Sequence, residues 1–331
     1  MWRSAAATFL LSGLMLGGVR TGKAGSTSAL DASPELVSPY QQYDLKLRTF
    51  SPAPRCPAGV LLHVRINGGQ PLRMLLDTGA EFIVIGAKSA RSMRLSAQSE
   101  LELVGLGGRS ARVGRAETVD IGPLSYRNCR VAIVEGRVIE GADGVIPLSL
   151  FSKFLLRLDL PEKTLGLIPY PQEENPAVPP TRDITKHDLL LVPTVLNGKQ
   201  SGYAVLDTGA YCSAISHEAA RTLGGSPIMP EVRLAAGTGA ATGHRVSSIV
   251  HFAIADQDLT PNETVALDLS NLSHHFGVEI MGVLGFPALS RYVLTVDYRY
   301  GQVKIERPQN VSARELHRNH TVKSPAALAF H

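Results

Sequence analysis

Cysteine is scarce in this chain: Cys56, Cys129 and Cys212 are the three among 331 residues. Three scattered thiols build neither a disulfide scaffold nor a zinc knuckle. Cys56 and Cys129 remain open as a pair in an exported protein, and Cys212 reads as a small buried apolar residue. Charge of either sign is sparse as well: charged residues are 19% and the net charge is +4. No run of five or six like charges occurs, so the slight basic excess is not a phosphate-binding surface, and no nucleic-acid partner is expected. Aromatics are 6%. Ala5 to Val19 is uncharged but only 15 residues long, against the 20 or so that a membrane span needs. No later segment is long and apolar enough to cross a bilayer.

What is abundant points to a β-rich globular protein. Apolar residues make up 44%, enough to bury a core and to exclude disorder over the whole length. The 31 glycines and 21 prolines favour many turns and short strands. At the N-terminus, Arg3 and Arg20 flank the apolar stretch, and Gly22-Lys23-Ala24 follows it. Residues 1–25 therefore read as a signal peptide or an N-terminal anchor, and either reading takes the remainder out of the cytoplasm, periplasmic or extracellular. Residues 26–43 are expected to be flexible and residues 307–331 to form a disordered tail.

An internal repeat organises the middle. Leu75-Leu76-Asp77-Thr78-Gly79-Ala80 recurs 130 residues later as Val205-Leu206-Asp207-Thr208-Gly209-Ala210, and Asn67-Gly68 recurs as Asn197-Gly198 at the same offset. A second block, Gly144-Val145-Ile146, recurs as Gly282-Val283-Leu284 at an offset of 138, so the second half carries eight extra residues between its blocks. Between the halves, Pro169, Pro171, Pro176, Pro179 and Pro180 mark a stiff linker over residues 169–184. The lobes are expected at 44–168 and 185–306. Each reads as mainly β: strands flank the Asn-Gly hairpin signals, one short helix is expected over Ala87 to Leu95 and again over Ser216 to Leu223, and each lobe ends in a hairpin, Leu155 to Leu167 and Val293 to Ile305.

The duplicated turn carries the chemistry. An Asp after an apolar run is buried, and a buried carboxylate is costly unless its oxygens are bonded. Thr-Gly supplies a hydroxyl and backbone N–H groups in a tight turn. Two such turns on duplicated lobes face each other across a pseudo-twofold axis. Two carboxylates that close cannot both ionise easily and hold one proton between them. One then acts as base on a water while the other, protonated, polarises a carbonyl.

On these motifs the chain resembles the aspartic proteases, and within them the retropepsin-like kind, as a single-chain, pepsin-like pseudo-dimer. The resemblance covers about residues 60–168 and 190–306, and Val283-Leu284-Gly285 resembles the family's second motif. It implies two closed β lobes of six-stranded type with a cleft between them, Asp77 and Asp207 as the dyad, and Thr78 and Thr208 interlocked across the lobe interface, with Gly79, Ala80, Gly209 and Ala210 supporting the loops. It implies a glycine-rich hairpin over the cleft; the candidates are Gly105, Leu106, Gly107 and Gly108, and Gly237, Thr238 and Gly239. It further implies a peptide or protein substrate, a monomer, and no metal or cofactor. The first lobe departs from the pattern, with Pro147 where a glycine is expected. That departure supports a rival reading, a catalytically inactive peptide-binding module on the same fold.

Other signals read as structural. Gly105-Leu106-Gly107-Gly108 lacks the βαβ context of a phosphate loop. His274-His275 lacks further ligands at fixed spacing and is expected in an exposed loop. Ser213, Ser216 and His217 have no nucleophile elbow around them.

Overall fold

The computed structural model describes residues 9–11, 16–18, 33–52, 57–105, 108–171, 188–223, 231–236 and 239–308. The chain folds as two β lobes that repeat each other in strand order. In the first, the ladder runs through strands Ala97–Val104, Gly108–Ile121, Leu124–Val134, Ile83–Gly86, Gly144–Pro147, Leu72–Asp77 and Gly59–Ile66. In the second it runs through Glu231–Ala236, Gly239–Arg245, Thr264–Leu267, Ser213–Ser216, Ile280–Gly285, Gln200–Asp207 and Leu191–Leu196. The Gly108–Ile121 strand also pairs with Gly59–Ile66, which curls the first sheet back on itself.

Among the described residues each lobe's sheet holds ten strands rather than six, because short strands extend the ladder at its edges. Among them are Arg48–Phe50 in the first lobe, Phe252–Ile254 and Gln257–Leu259 in the second, and two three-residue strands from the N-terminus, Phe9–Leu11 and Leu16–Gly18. Where the first lobe has the long Gly108–Ile121 and Leu124–Val134 hairpin, the second pairs Gly239–Arg245 with Thr264–Leu267 and places one short hairpin, Phe252–Ile254 with Gln257–Leu259, between them.

The Asn-Gly signals form the same turn twice. Asn67 and Gly68 have φ of 49° and 67°, and Asn197 and Gly198 have 47° and 65°, the left-handed pair that matches strand twist in a tight hairpin. Asparagine does more than tolerate the conformation. Asn67 Oδ1 accepts the Glu117 and Thr118 N–H groups at 2.9 and 3.2 Å, and Asn197 Oδ1 accepts the His251 N–H at 2.6 Å. Each turn is thus pinned to the strand that crosses it.

Helices are few and short. Ala87–Ser92 and His217–Thr222 occupy the two expected positions, and Ser216 Oγ caps the second by accepting the Ala219 N–H at 3.0 Å. A helix at Ser270–Phe276 carries His274 and His275, so these histidines sit on a helix and not in a loop. Leu272 and Phe276 face inward from it one turn apart.

Part of the segment expected to be flexible has a fixed place. Over residues 33–43, Glu35–Leu36 pairs with Arg127 and Tyr126, Tyr40 donates its hydroxyl to Lys153 O, and the Tyr43 ring is buried. Residues 26–32, most of the linker and most of the tail lie outside the described residues. Cys56 does too, while Cys129 is a buried free thiol.

The terminal hairpins do not close each lobe separately. They join into one five-stranded sheet, ordered Gln302–Glu306, Val293–Asp297, Phe154–Asp159, Thr164–Pro169, Tyr43–Lys46. At its centre Leu156 pairs with Val296, Arg157 with Thr295, and Leu158 with Leu294. Shifting by 138 converts Leu156 to Leu294, Leu158 to Val296 and Arg157 to Thr295, so the ladder maps onto itself. The pseudo-twofold axis passes through the Arg157–Thr295 pair. Leucine and valine on this sheet's inner face, including Leu156, Leu158, Leu294 and Val296, continue into the core shared by both lobes.

Candidate active site

Strand Leu72–Asp77 is apolar and almost wholly buried up to its last residue, and Gln200–Asp207 ends the same way. Each strand therefore delivers a carboxylate into the interior, where both Asp77 and Asp207 are 0% exposed. The tight turn that follows answers the cost of burial. The Gly79 N–H donates to Asp77 Oδ1 at 2.7 Å and the Gly209 N–H donates to Asp207 Oδ1 at 2.8 Å. These are side-chain turns two residues long, the local bond that Asp forms readily.

The threonines lock the two turns together. Thr78 Oγ1 donates to Leu206 O at 2.6 Å and accepts the Thr208 N–H at 2.9 Å. Thr208 Oγ1 donates to Leu76 O at 2.8 Å and accepts the Thr78 N–H at 3.2 Å. Four bonds thus cross the lobe boundary directly beneath the carboxylates. The fit leaves no room for a side chain: a Cβ on Gly209 would lie 2.3 Å from Asp77 Oδ2. The first lobe's carboxylate rests on the second lobe's turn.

Electrostatics follow from this contact. Burial raises Asp77 well above the usual carboxylate range, and the Asp207 charge raises it further, against the Gly79 N–H. Burial also raises Asp207, but the Gly209 N–H, a bond from Asp77 and the Ala210 N–H hold it lower. Asp207 thus has more donors for its charged form, and Asp77 holds the proton more tightly. Oδ2 of each carboxyl is buried, and no N–H or hydroxyl group of the described residues donates to it. Two facing acceptors are satisfied by one shared proton or a bridging water, and the pair titrates as a unit.

A strand supports each turn. Gly144–Pro147 runs parallel to the strand that ends at Asp77, with Pro147 opposite Asp77, and Ile280–Gly285 runs parallel to the strand that ends at Asp207, with Gly285 opposite Asp207. In the second lobe glycine is required, because a Cβ on Gly285 would fall 2.4 Å from Cys212 O. The Gly285 N–H donates to Ser213 Oγ at 3.1 Å. The repeat places Ile83 where Ser213 stands. Pro147 has no N–H to donate and Ile83 no hydroxyl to receive one, so the two changes compensate. Cys212, beside the turn, is buried and its thiol is pushed up to about 12 by burial.

The glycine-rich segments stand at hairpin tips. Gly105 and Gly108 flank the turn between Ala97–Val104 and Gly108–Ile121, and Gly239 opens the return strand after Glu231–Ala236. Leu106, Gly107, Gly237 and Thr238 lie outside the described residues. Leu101, Leu103, Ala111 and Val113 belong to one apolar cluster with Ala80, and Val232 and Leu234 belong to another with Ala210.

Three aromatic residues at this site escape a reading by motif. Phe50 belongs to the Ala80 cluster, and Phe82 and Tyr211 pack against it. Tyr211 reaches in from the second lobe, its ring 5.9 Å from that of Phe50. For Phe82 and Tyr211 the signal was their place two and one residues beyond the Asp-Thr-Gly-Ala turns. For Phe50 there was none. Ser213, Ser216 and His217 do not converge: Ser213 supports Gly285, Ser216 caps a helix, and His217 is exposed at that helix's start. No cluster that could hold a metal ion occurs among the described residues.

A family model described as "Aspartyl protease" matches residues 62–149 and 192–288, once per lobe. The structure is similar to the crystal structure of aspartic proteinase from Irpex lacteus, with a TM-score of 0.51 and 13% identity over 82% of this chain and 99% of that one. At that identity the likeness concerns the fold. A comparison with curated protein sequences gives no match.

Proposed function

Because the chain belongs to the aspartyl protease family, we propose that it is an endopeptidase that hydrolyses peptide bonds with a water activated between Asp77 and Asp207. The observation that carries this reading is the pair of buried, raised carboxyls joined across the lobes by the Thr78–Thr208 lock. Asp207, richer in N–H donors, serves as the base that takes a proton from the water. Asp77, which holds the shared proton, gives a hydrogen bond and then that proton to the substrate carbonyl oxygen. The water oxygen bonds to the carbonyl carbon and forms a tetrahedral diol. When the C–N bond breaks, the proton on Asp207 goes to the departing nitrogen, and a diol hydroxyl returns its proton to Asp77. The step needs no covalent intermediate and leaves the dyad with one proton, as it began.

A peptide-binding module without catalysis is the other reading of this fold. Its best support is Pro147, and the match of Pro147 with Ile83 weakens that support. We further propose an exported, monomeric enzyme, on the strength of the N-terminal leader pattern and of two lobes in one chain. The test is cleavage of a mixed peptide library, with and without pepstatin, by the wild-type chain and by Asp77→Asn. Pepstatin-sensitive cleavage that Asp77→Asn lacks is expected. Intact peptides throughout would leave the module.

A further inference from the structure

Strand Ile83–Gly86 divides its side chains between two apolar clusters. Ile83 and Ile85 enter the one shared by both lobes, and Val84 enters that of Ala80, the alternation of a strand buried on both faces. A cavity of about 530 Å³ lies on the Ile83 side. Ile83, Cys129 and Leu150 wall it, and all three belong to the shared cluster. The cavity is therefore behind the Asp77 turn, on the face of the sheet away from Ala80. Phe82 and Pro147 also wall it. Phe82 follows the turn directly after Glu81, and Pro147 is the partner of Asp77 in the ladder.

Arg130 lines this cavity without a partner. Its guanidinium lies 4.8 Å from the centre of the Phe82 ring, and its Nε is buried with no hydrogen bond. Among the described residues it makes no ion pair. Arg115 stands directly opposite it across the ladder, and like charges so placed repel. Cys129 brings no charge, because burial pushes its thiol up to about 12. Lys153 lines the same cavity, and among the described residues its ammonium makes no ion pair either. A buried donor without a partner costs folding free energy, and an anion in the cavity would supply the partner.

We propose that this cavity is a binding site for a small monocarboxylate with an apolar body, its carboxylate on Arg130 and its body against Phe82, Ile83, Pro147 and Leu150. The planar fork of an arginine matches a carboxylate with two parallel hydrogen bonds, and Ser149 and Ser152 bring hydroxyls to the same cavity. Glu81 and Asp188 stand at its wall as well and have interactions of their own. Their charges balance those of Arg130 and Lys153, so one negative charge is accommodated and a doubly charged phosphate is repelled. The volume suits a small organic molecule. A free acid and the C-terminus of a short peptide share this chemistry. The site stands whether or not the chain cleaves peptides.

The test is isothermal titration calorimetry at about pH 7, where a carboxylic acid is ionised. The full chain carries Asp207→Asn, which stops self-digestion and leaves the first lobe unchanged. N-acetyl-leucine is expected to bind with a dissociation constant of about 1 mM or less, ordinary for its size. N-acetyl-leucine amide should bind about tenfold more weakly or worse. The dipeptide Ala-Leu separates the two sources: tighter binding than N-acetyl-leucine supports a peptide C-terminus in the site, and weaker binding supports a free acid. Arg130→Met keeps an apolar stem over Phe82 and removes the charge. It should lose about tenfold or more in affinity for the acid while melting within about 3 °C of the parent chain. Equal binding of acid and amide overturns the proposal. So does inorganic phosphate that binds as tightly as the acid, or full affinity in Arg130→Met. Where that variant fails to fold, Lys153→Met, at an exposed position, decides: a loss of about threefold or more is expected, and unchanged affinity overturns the site.

Discussion

Thr78 and Thr208 each place a hydroxyl on the carbonyl of the residue two positions before the other, Leu206 and Leu76, while accepting the other's backbone N–H. This exchange fixes the separation of the two lobes at the point where the carboxylates meet. Thr78→Ala leaves the Leu206 carbonyl and the Thr208 N–H buried without partners. At about 1–3 kcal/mol for each buried unsatisfied group, the loss is about 2–6 kcal/mol. Urea denaturation measures it, and Thr78→Ser, which keeps the hydroxyl, should restore most of the stability.

Asp77→Asn and Asp207→Asn should each lower kcat by at least about a thousandfold, since each removes one partner of a coupled pair. Both should keep the fold, because an Asn Oδ1 still accepts the Gly79 or Gly209 N–H. Circular dichroism and turnover of a cleaved library peptide, measured on the same samples, separate the two effects.

The dyad also makes stability depend on pH. Both carboxyls are raised in the folded chain, so the folded state binds their proton more tightly than the unfolded state does. That contribution is complete below the ordinary carboxylate range near pH 4 and is lost as pH rises through the raised values, at about 1.4 kcal/mol for each tenfold gain in proton affinity on folding. Wild type should melt at lower temperature at pH 7 than at pH 4.5 in part for this reason. The double variant Asp77→Asn/Asp207→Asn should show a flatter curve and melt above wild type at pH 7. Thermal scans from pH 4 to 8 check both statements.

The pH optimum follows from what stands after each turn. Ala80 and Ala210 offer no hydroxyl to the carboxyls, so no side chain at that position favours the charged form. The one-proton state should persist to higher pH than with a hydroxyl there, giving a bell-shaped profile with an optimum of about pH 4–6. Ala80→Ser or Ala210→Ser should move the acid limb downward. A wild-type optimum near pH 2, or an acid limb indifferent to both serines, would remove this explanation.

The two support strands predict an asymmetric response. Gly285→Ala forces a Cβ to 2.4 Å from Cys212 O and should lower stability and turnover together. Pro147→Gly adds no side chain and finds no waiting acceptor at Ile83, and should change kcat/KM by less than about threefold, since changes away from a named packing or bonding feature are small. Steady-state kinetics on the two variants decide it.

Much of this site was legible in the sequence because it is written twice. The paired Asp-Thr-Gly-Ala turns, the Asn-Gly hairpins and the two short helices each repeat at one offset, and local chemistry fixes each. What stayed hidden depends on distant pairings. Nothing near Arg157 or Thr295 announces that strands 138 residues apart share a ladder. The role of Ile83 emerges only when it is set beside Pro147, 64 positions away in the sequence. The Ser270–Phe276 helix did leave a trace. Asp268 Oδ1 accepts the Ser270 N–H at 2.9 Å and Gly277 ends the helix at φ 65°, a start and stop that were present in the letters.

The sheet under the two lobes has a mechanical consequence. Its central ladder, Leu156 to Val296 through Leu158 to Leu294, crosses the boundary that a hinge between the lobes would have to open. Swinging the lobes apart would break several adjacent hydrogen bonds at once and expose the leucines behind them. The floor of the molecule therefore behaves as a single plate. The two glycine-tipped hairpins are each paired up to the last strand residue before the turn, Val104 with Gly108 and Ala236 with Gly239, and belong to one lobe apiece. Flexibility engineered into the floor should therefore cost stability in both lobes at once, since the ladder it loosens belongs to both.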